Sequence, residues 1–118
     1  MPSLVVRNAD RRTTLGIRVD VADGPWSRLR GLLGRDALAP GEGLLLTPCR
    51  AIHMYGMRFP IDVAFLDPEG QVLAAYDSIR PGQRTRRHGD ARYALEIPAG
   101  TLTESRTRIG DTLEWEVR

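Results

Sequence analysis

The chain contains no lysine and one cysteine, Cys49. A single thiol excludes an internal disulfide and any all-cysteine zinc site within one chain, and its isolation fits a reducing compartment. No apolar run approaches the roughly 18 residues that span a bilayer. Arg7, Asp10, Arg11 and Arg12 occupy the stretch where a secretory leader places its apolar segment. A cytoplasmic protein with no leader and no membrane contact is therefore expected. Also absent are internal repeats, a glycine-rich phosphate loop, a dinucleotide fingerprint and a GxSxG elbow. The 17 basic residues are all Arg and face 15 carboxylates, for a net charge of +2. An all-Arg, Ala/Gly/Pro-rich composition reads as the product of a GC-rich coding sequence, so the basicity does not argue for nucleic acid as a partner.

What is present is one domain. Two cores within 118 residues would each be too small to offset the entropy of ordering the backbone, so residues 1–118 are expected to fold as a unit. Period-two alternation is the dominant signal. Leu15, Ile17, Val19 and Val21 mark a strand over 14–21; Ile61, Val63 and Phe65 mark 61–66; Tyr93, Leu95 and Ile97 mark 92–97; Leu113, Trp115 and Val117 mark 112–117. Each reads as half-buried. Asp67-Pro68-Glu69-Gly70 has the turn residues of a hairpin leading into 71–76. Residues 3–7 and Leu44–Leu46 are weaker strand candidates. One stretch reads as helical, about residues 25–33: Pro25 suits the first position, Trp26, Leu29, Leu32 and Leu33 share a face, and Gly34 suits the exit. The expected fold is mainly β, an antiparallel β-sandwich or closed barrel with that one short α-helix.

The chemistry-bearing residues crowd into Pro48–Asp62, which holds Cys49, His53, Met54, Met57, Arg58 and Asp62. Thiolate, imidazole and thioether could together hold a soft metal, but no second ligand pair of recognised spacing exists, and His88 stands alone in a loop that reads as mobile. No metal and no cofactor are expected, and Met54 and Met57 read as core fillers. Catalysis by Cys49 would need His53 as base and a third group such as Asp62 to orient the imidazole. Asp62 projects from the face opposite Ile61, Val63 and Phe65; if buried it would need a partner, for which Arg58, Arg80 and Arg92 are available. Glu96 precedes the Pro98-Ala99-Gly100 turn, where a carboxylate can accept backbone N–H bonds. Arg80, Arg84, Arg86, Arg87, His88 and Arg92 read as a solvated, flexible loop, with anion or nucleic-acid contact as the sharper alternative.

These residues resemble domain-of-unknown-function family 192, found in bacteria and archaea. Arg30-Gly31-Leu32-Leu33-Gly34-Arg35 is similar to its opening helix signature and Gly43-Leu44-Leu45-Leu46 to the strand that follows. Met54, Pro60, Asp62, Phe65 and Asp67 occupy places in its central motif, and Leu95-Glu96, Ala99-Gly100 and Gly110-Asp111 resemble its closing elements. The resemblance implies a mainly-β sandwich or barrel with a short helix, and no established activity. His53 stands where an aromatic is usual and Tyr55-Gly56-Met57 where a polar run is usual, which shifts the expected pocket toward apolar character. The reading that follows is a small non-enzymatic binding or accessory domain whose pocket is lined by His53, Met54, Met57, Asp62 and Glu96, taking a small ligand or a protein partner. An enzyme using Cys49, His53 and a carboxylate is the rival, and an Arg-loop anion or nucleic-acid binder ranks third.

Overall fold

The alternating segments become strands of one curled seven-stranded sheet, a half-barrel. The structure, a computed structural model, describes residues 3–118, except for the side chains of Trp26, Leu29 and Arg30. In chain order the elements are β1 (Leu4–Asn8), β2 (Thr13–Ala22), α1 (Pro25–Arg30), β3 (Glu42–Leu46), β4 (Ile61–Leu66), β5 (Val72–Ile79), β6 (Tyr93–Pro98), α2 (Thr101–Glu104) and β7 (Leu113–Val117). The strand order is β5-β4-β6-β3-β2-β1-β7.

The expected all-antiparallel pairing is corrected at one place, since β2 and β3 run parallel with Val19 opposite Gly43 and Val21 opposite Leu45. Parallel neighbours cannot be joined by a tight turn, and residues 23–41, including α1, form the crossover they need. The helix is shorter than the expected 25–33. It ends at Arg30 because Gly31 turns to φ +47° and donates its N–H to the Ser27 carbonyl at 2.9 Å. Of the proposed helical face, the Trp26 and Leu29 side chains lie outside the described residues, Leu32 is buried and Leu33 is exposed. The second short helix, α2, has no counterpart in the sequence reading.

The expected half-burial also needs correction. β4 is buried along its whole length, and β6 over Ala94–Ile97. One face of these strands carries Leu44, Leu46, Ile61, Val63, Phe65 and Ala94, covered by Leu32, Ile52 and Met54 from outside the sheet. The other carries Leu45, Ala64, Leu66, Leu95 and Ile97, packed against Leu4, Val6, Leu15 and Val19 where the sheet curls over itself. In β2 the alternation breaks at Ile17, which is exposed. Both Ile17 and Arg18 donate their N–H to the Gly41 carbonyl, at 2.8 and 2.9 Å, and the register against β1 shifts twice, each time with one extra residue on β2, so Ile17 is turned outward while Leu15 and Val19 stay on the same core face.

The Asp67–Gly70 turn forms as expected, with Gly70 N–H to the Asp67 carbonyl at 2.9 Å and Asp67 Oδ1 accepting from the N–H groups of Glu69 and Gln71. Gly70 also meets the chain entering β7. At φ +86°, with the Leu113 carbonyl against the position a Cβ would occupy, no other residue fits there. Val72 N–H donates to Asp111 O and Leu113 N–H to Gly70 O, both at 2.8 Å, which ties this end of β5 to β7.

Two buried carboxylates pin connections to this sheet. Asp62 has no exposed surface; its Oδ1 accepts the Ser78 N–H at 2.8 Å and its Oδ2 the N–H groups of Gly100 and Leu102 at 3.1 and 2.9 Å. Its partners are backbone amides, not the Arg residues the sequence suggested. At the other end, Asp111 Oδ2 receives Asn8 Nδ2 at 3.0 Å, Arg11 Nε at 3.1 Å and the Arg108 N–H at 2.9 Å, while Asn8 Oδ1 accepts from Asp10 and Arg11 and shapes the β1–β2 turn. Burial alone would raise the Asp111 carboxyl pKa. The Asn8, Arg11 and Arg108 hydrogen bonds and the Arg11 charge outweigh it and hold the group below its ordinary range.

Asp62→Ala is expected to lower unfolding free energy by about 2–4 kcal/mol in urea titrations, since it orphans the buried Leu102 amide and two neighbours that water can partly rescue. Because the folded Asp111 pKa is depressed, its contribution is complete above the ordinary carboxylate pKa and is lost as pH falls through the folded value. Asp111→Asn should flatten the acid limb of a stability-versus-pH curve; an unchanged limb would place the acid sensitivity elsewhere.

Candidate functional site

After β3 the chain crosses the sheet face that carries Leu44, Leu46 and Val63, and a second loop holds it there. Met54 N–H donates to the Gln83 carbonyl at 2.7 Å, Thr85 N–H to Ile52 O at 2.9 Å, His88 N–H to Arg50 O at 2.8 Å and Cys49 N–H to Arg92 O at 3.0 Å. The Thr85 hydroxyl accepts the Ile52 N–H at 3.0 Å and donates to Arg86 O at 2.9 Å. Residues 49–54 and 83–92 therefore run as a backbone-bonded ribbon, which corrects the expectation of a flexible Arg loop. His88 is buried rather than mobile, with its ring 4.5 Å from Phe65 and Nε2 2.7 Å from the Tyr76 hydroxyl. Burial, then the Arg86 charge, push its pKa down. Arg84, Arg86 and Arg87 remain exposed.

Along this ribbon Ile52 and Met54 point into the sheet while His53 is exposed and stacks on Tyr55 with centroids 5.1 Å apart. Between the ribbon, the end of α1 and the sheet lies a pocket of about 410 Å³. Its apolar lining includes Leu32, Leu46, Ile52 and Met57, and its polar lining is Arg28, Cys49, Arg50, His53 and Glu96. Of the five residues singled out in the sequence, the structure brings His53, Met57 and Glu96 together here. Met54 and Asp62 do not line the pocket: Met54 is a core residue beneath the ribbon, and Asp62 points to the other face of the sheet. Sequence reasoning missed Arg28 and Arg50 as pocket residues. The density of the Pro48–Asp62 motif could have pointed to Arg50, whereas nothing local marks Arg28.

Glu96 dominates the electrostatics. It pairs with Leu44 on β3 and Val63 on β4, so its side chain leaves the sheet on the pocket side. It is 6% exposed, and Oε1 has no hydrogen-bond partner among the described residues. Burial pushes its pKa up to about 7. Cys49 donates its thiol to the Ala51 carbonyl at 3.3 Å. Its pKa is raised by burial and by the Glu96 charge, against the opposing effects of the Ala51 bond and Arg28. A thiol pushed up in this way is the reverse of an activated nucleophile. Arg28 reaches over the ribbon to the Pro48 carbonyl at 3.2 Å, and Arg50 Nε donates to Ala91 O at 3.3 Å. Among the described residues no three His, Cys, Asp or Glu side chains group as a metal site, and no helix is long and apolar enough to cross a membrane.

Fold and site together define a small mainly-β domain with a pocket between its curled sheet and a covering ribbon. The chain belongs to domain-of-unknown-function family 192, described as an uncharacterized ACR, whose family model matches residues 5–115. It is 34% identical over 108 residues to the UPF0127 protein of Thermococcus sibiricus, covering 85% of this chain and 67% of that protein. A crystal structure of a protein of unknown function from Novosphingobium aromaticivorans superposes with a TM-score of 0.81 at 21% identity, covering 95% of this chain and 83% of the other. A candidate transcription regulator from Sinorhizobium meliloti does so with a TM-score of 0.76 at 26% identity, covering 95% and 91%. No specific function is established for the family.

Because the folded Glu96 pKa lies above its ordinary value of 4.5, the folded state holds the extra proton, and stability falls as pH rises from that value toward about 7. The loss amounts to about 3 kcal/mol. Glu96→Gln should abolish this slope and be more stable than wild type at pH 8; a parallel pH profile for the two proteins would show Glu96 to be neutralised by another group.

Proposed function

We propose that this chain is a non-enzymatic binding or accessory domain that holds a small ligand in the pocket between α1 and the 48–57 ribbon. The observation that carries this reading is the buried Glu96 Oε1, left without a hydrogen-bond partner among the described residues on the wall of an apolar pocket. An unpaired buried acceptor costs about 1–3 kcal/mol and so calls for a reason, and a ligand that supplies the missing donor is the reason this reading gives. Apolar walls with a few convergent polar groups are the usual composition of a small-molecule site. The pocket residues of this reading are His53, Met57 and Glu96, joined by Arg28, Cys49 and Arg50. Met54 supports the ribbon from below, and Asp62 holds the sheet.

Residues 1–118 act as one domain in this reading, and the sheet is at finer resolution a barrel whose seam lies between β5 and β7, drawn together at the Gly70–Leu113 end. The lone thiol supports a cytoplasmic setting. The enzyme reading is the weaker one, because Cys49 lacks a depressed pKa and His53 is stacked on Tyr55. The likeness to a candidate transcription regulator lends the exposed Arg84, Arg86 and Arg87 some support as a nucleic-acid contact, but no aromatic is interleaved among them for base stacking.

A fragment screen followed by protein-observed NMR should give hits whose shifts cluster on Leu32, Ile52 and Met57. Hits scattered over unrelated surfaces would reject the pocket. Iodoacetamide should alkylate Cys49 at neutral pH more slowly than a small free thiol, and a faster rate would revive the enzyme reading.

A further inference from the structure

The polar groups of the pocket are arranged by sign. Glu96 lies buried in the wall formed by β6, with apolar Leu44 and Val63 as its cross-strand neighbours. Arg28 from α1 and Arg50 from the ribbon line the same pocket from more solvated positions. Each guanidinium carries five donors, and the structure engages one on each, with Pro48 O and Ala91 O. Leu32, Leu46 and Ile52 supply apolar lining to the pocket that the acid and the cations share.

Resting on the reading of this pocket as a ligand site, we propose that its ligand is a small zwitterion with separated charges. A cationic nitrogen donates to Glu96 Oε1, an aliphatic stretch lies along Leu32, Leu46 and Ile52, and a carboxylate or similar anion meets Arg28 and Arg50. The ionised carboxylate is acceptor-only, so it selects a donor, and an ammonium or amidinium donor bonds it roughly twice as strongly as a neutral one. A purely cationic ligand would leave the two guanidinium groups unmatched and pass them on entry. A purely anionic ligand would place its charge against Glu96 or leave Oε1 unpaired. A volume of about 410 Å³ admits a chain of a few carbons but not a folded peptide segment.

The test titrates wild-type protein and Glu96→Gln at pH 8 with 5-aminopentanoate, pentylamine, pentanoate and 1-pentanol, following methyl signals of Leu32, Ile52 and Met57. Wild type should bind 5-aminopentanoate tightest, at least about tenfold tighter than pentanoate, as one charge-assisted bond provides. Glu96→Gln should remove the preference for the amino compounds, and Arg50→Ala should bring 5-aminopentanoate toward pentylamine. If pentanoate or 1-pentanol binds wild type as well as 5-aminopentanoate, with the same methyl groups shifting, the zwitterion proposal falls while the pocket stands. The zwitterion proposal falls in the same way if Glu96→Gln keeps the amino preference. If no probe shifts these methyl groups, both fall. The ranking in wild type decides the matter even without the variants.

Discussion

The Asp62 carboxylate sits where β4, β5 and the turn into α2 meet, with no solvent contact, and much of the surrounding backbone is arranged to satisfy it. A buried charge is tolerated only when hydrogen bonds replace its hydration, and here three amides do so. Supplying them takes two departures from regular geometry. Opposite Asp62, β5 carries one extra residue between Tyr76 and Ile79, and Ser78 adopts φ +50°, which directs its N–H at Oδ1. After β6, Gly100 takes φ +97°, so that its own amide and that of Leu102 converge on Oδ2. The bulge on one strand and the short helix after another thus have a common cause in one side chain.

That cause explains what the sequence can and cannot convey. The strand segments at 61–66, 92–97 and 112–117 are readable because alternation is local and each sits in a regular stretch of sheet. Ile17 departs from its alternation because bulges in the β1–β2 register turn it outward while Leu15 and Val19 keep one face, and bulges are set by pairing rather than by the strand itself. The parallel β2–β3 pair is hidden for the same reason. Nothing in Leu44–Leu46 states the direction of its neighbour. The sequence also offers Glu96 as the acceptor for the Gly100 turn because the two are close in the chain. Asp62 fills that role from a different strand, through the pairing of Asp62 with Ile97.

The covering ribbon shows the same limit on a larger scale. Six Arg and His side chains between Arg80 and Arg92 look like a solvated loop when counted by composition. The backbone of 83–92 is tied to residues 49–54 by several hydrogen bonds, and it buries Thr85 and His88 while Arg84, Arg86 and Arg87 stay exposed. Residues 49–54, which run into the family's central motif, are therefore half of a hydrogen-bonded cover, and the partner segment carries no comparable signature in sequence. The lone asparagine, Asn8, is another case: one side chain joins the β1–β2 turn to Thr107 and Asp111 across the chain.

Asp62 and Glu96 lie on paired strands, one residue out of step, so the sheet sends them to opposite faces. On one face the backbone bends to give a carboxylate all that it needs. On the other, Leu44, Val63 and Leu32 offer nothing, and the acid is left to hold its proton to about pH 7. Nothing in the sheet prevents a hydrophobic residue at position 96, where the neighbours are already apolar and the site is already buried, and such a residue would spare the unsatisfied acceptor. The fold thus satisfies one buried acid through two backbone distortions and leaves the next without a partner among the described residues, beside a pocket, which is the contrast on which the proposed binding role rests.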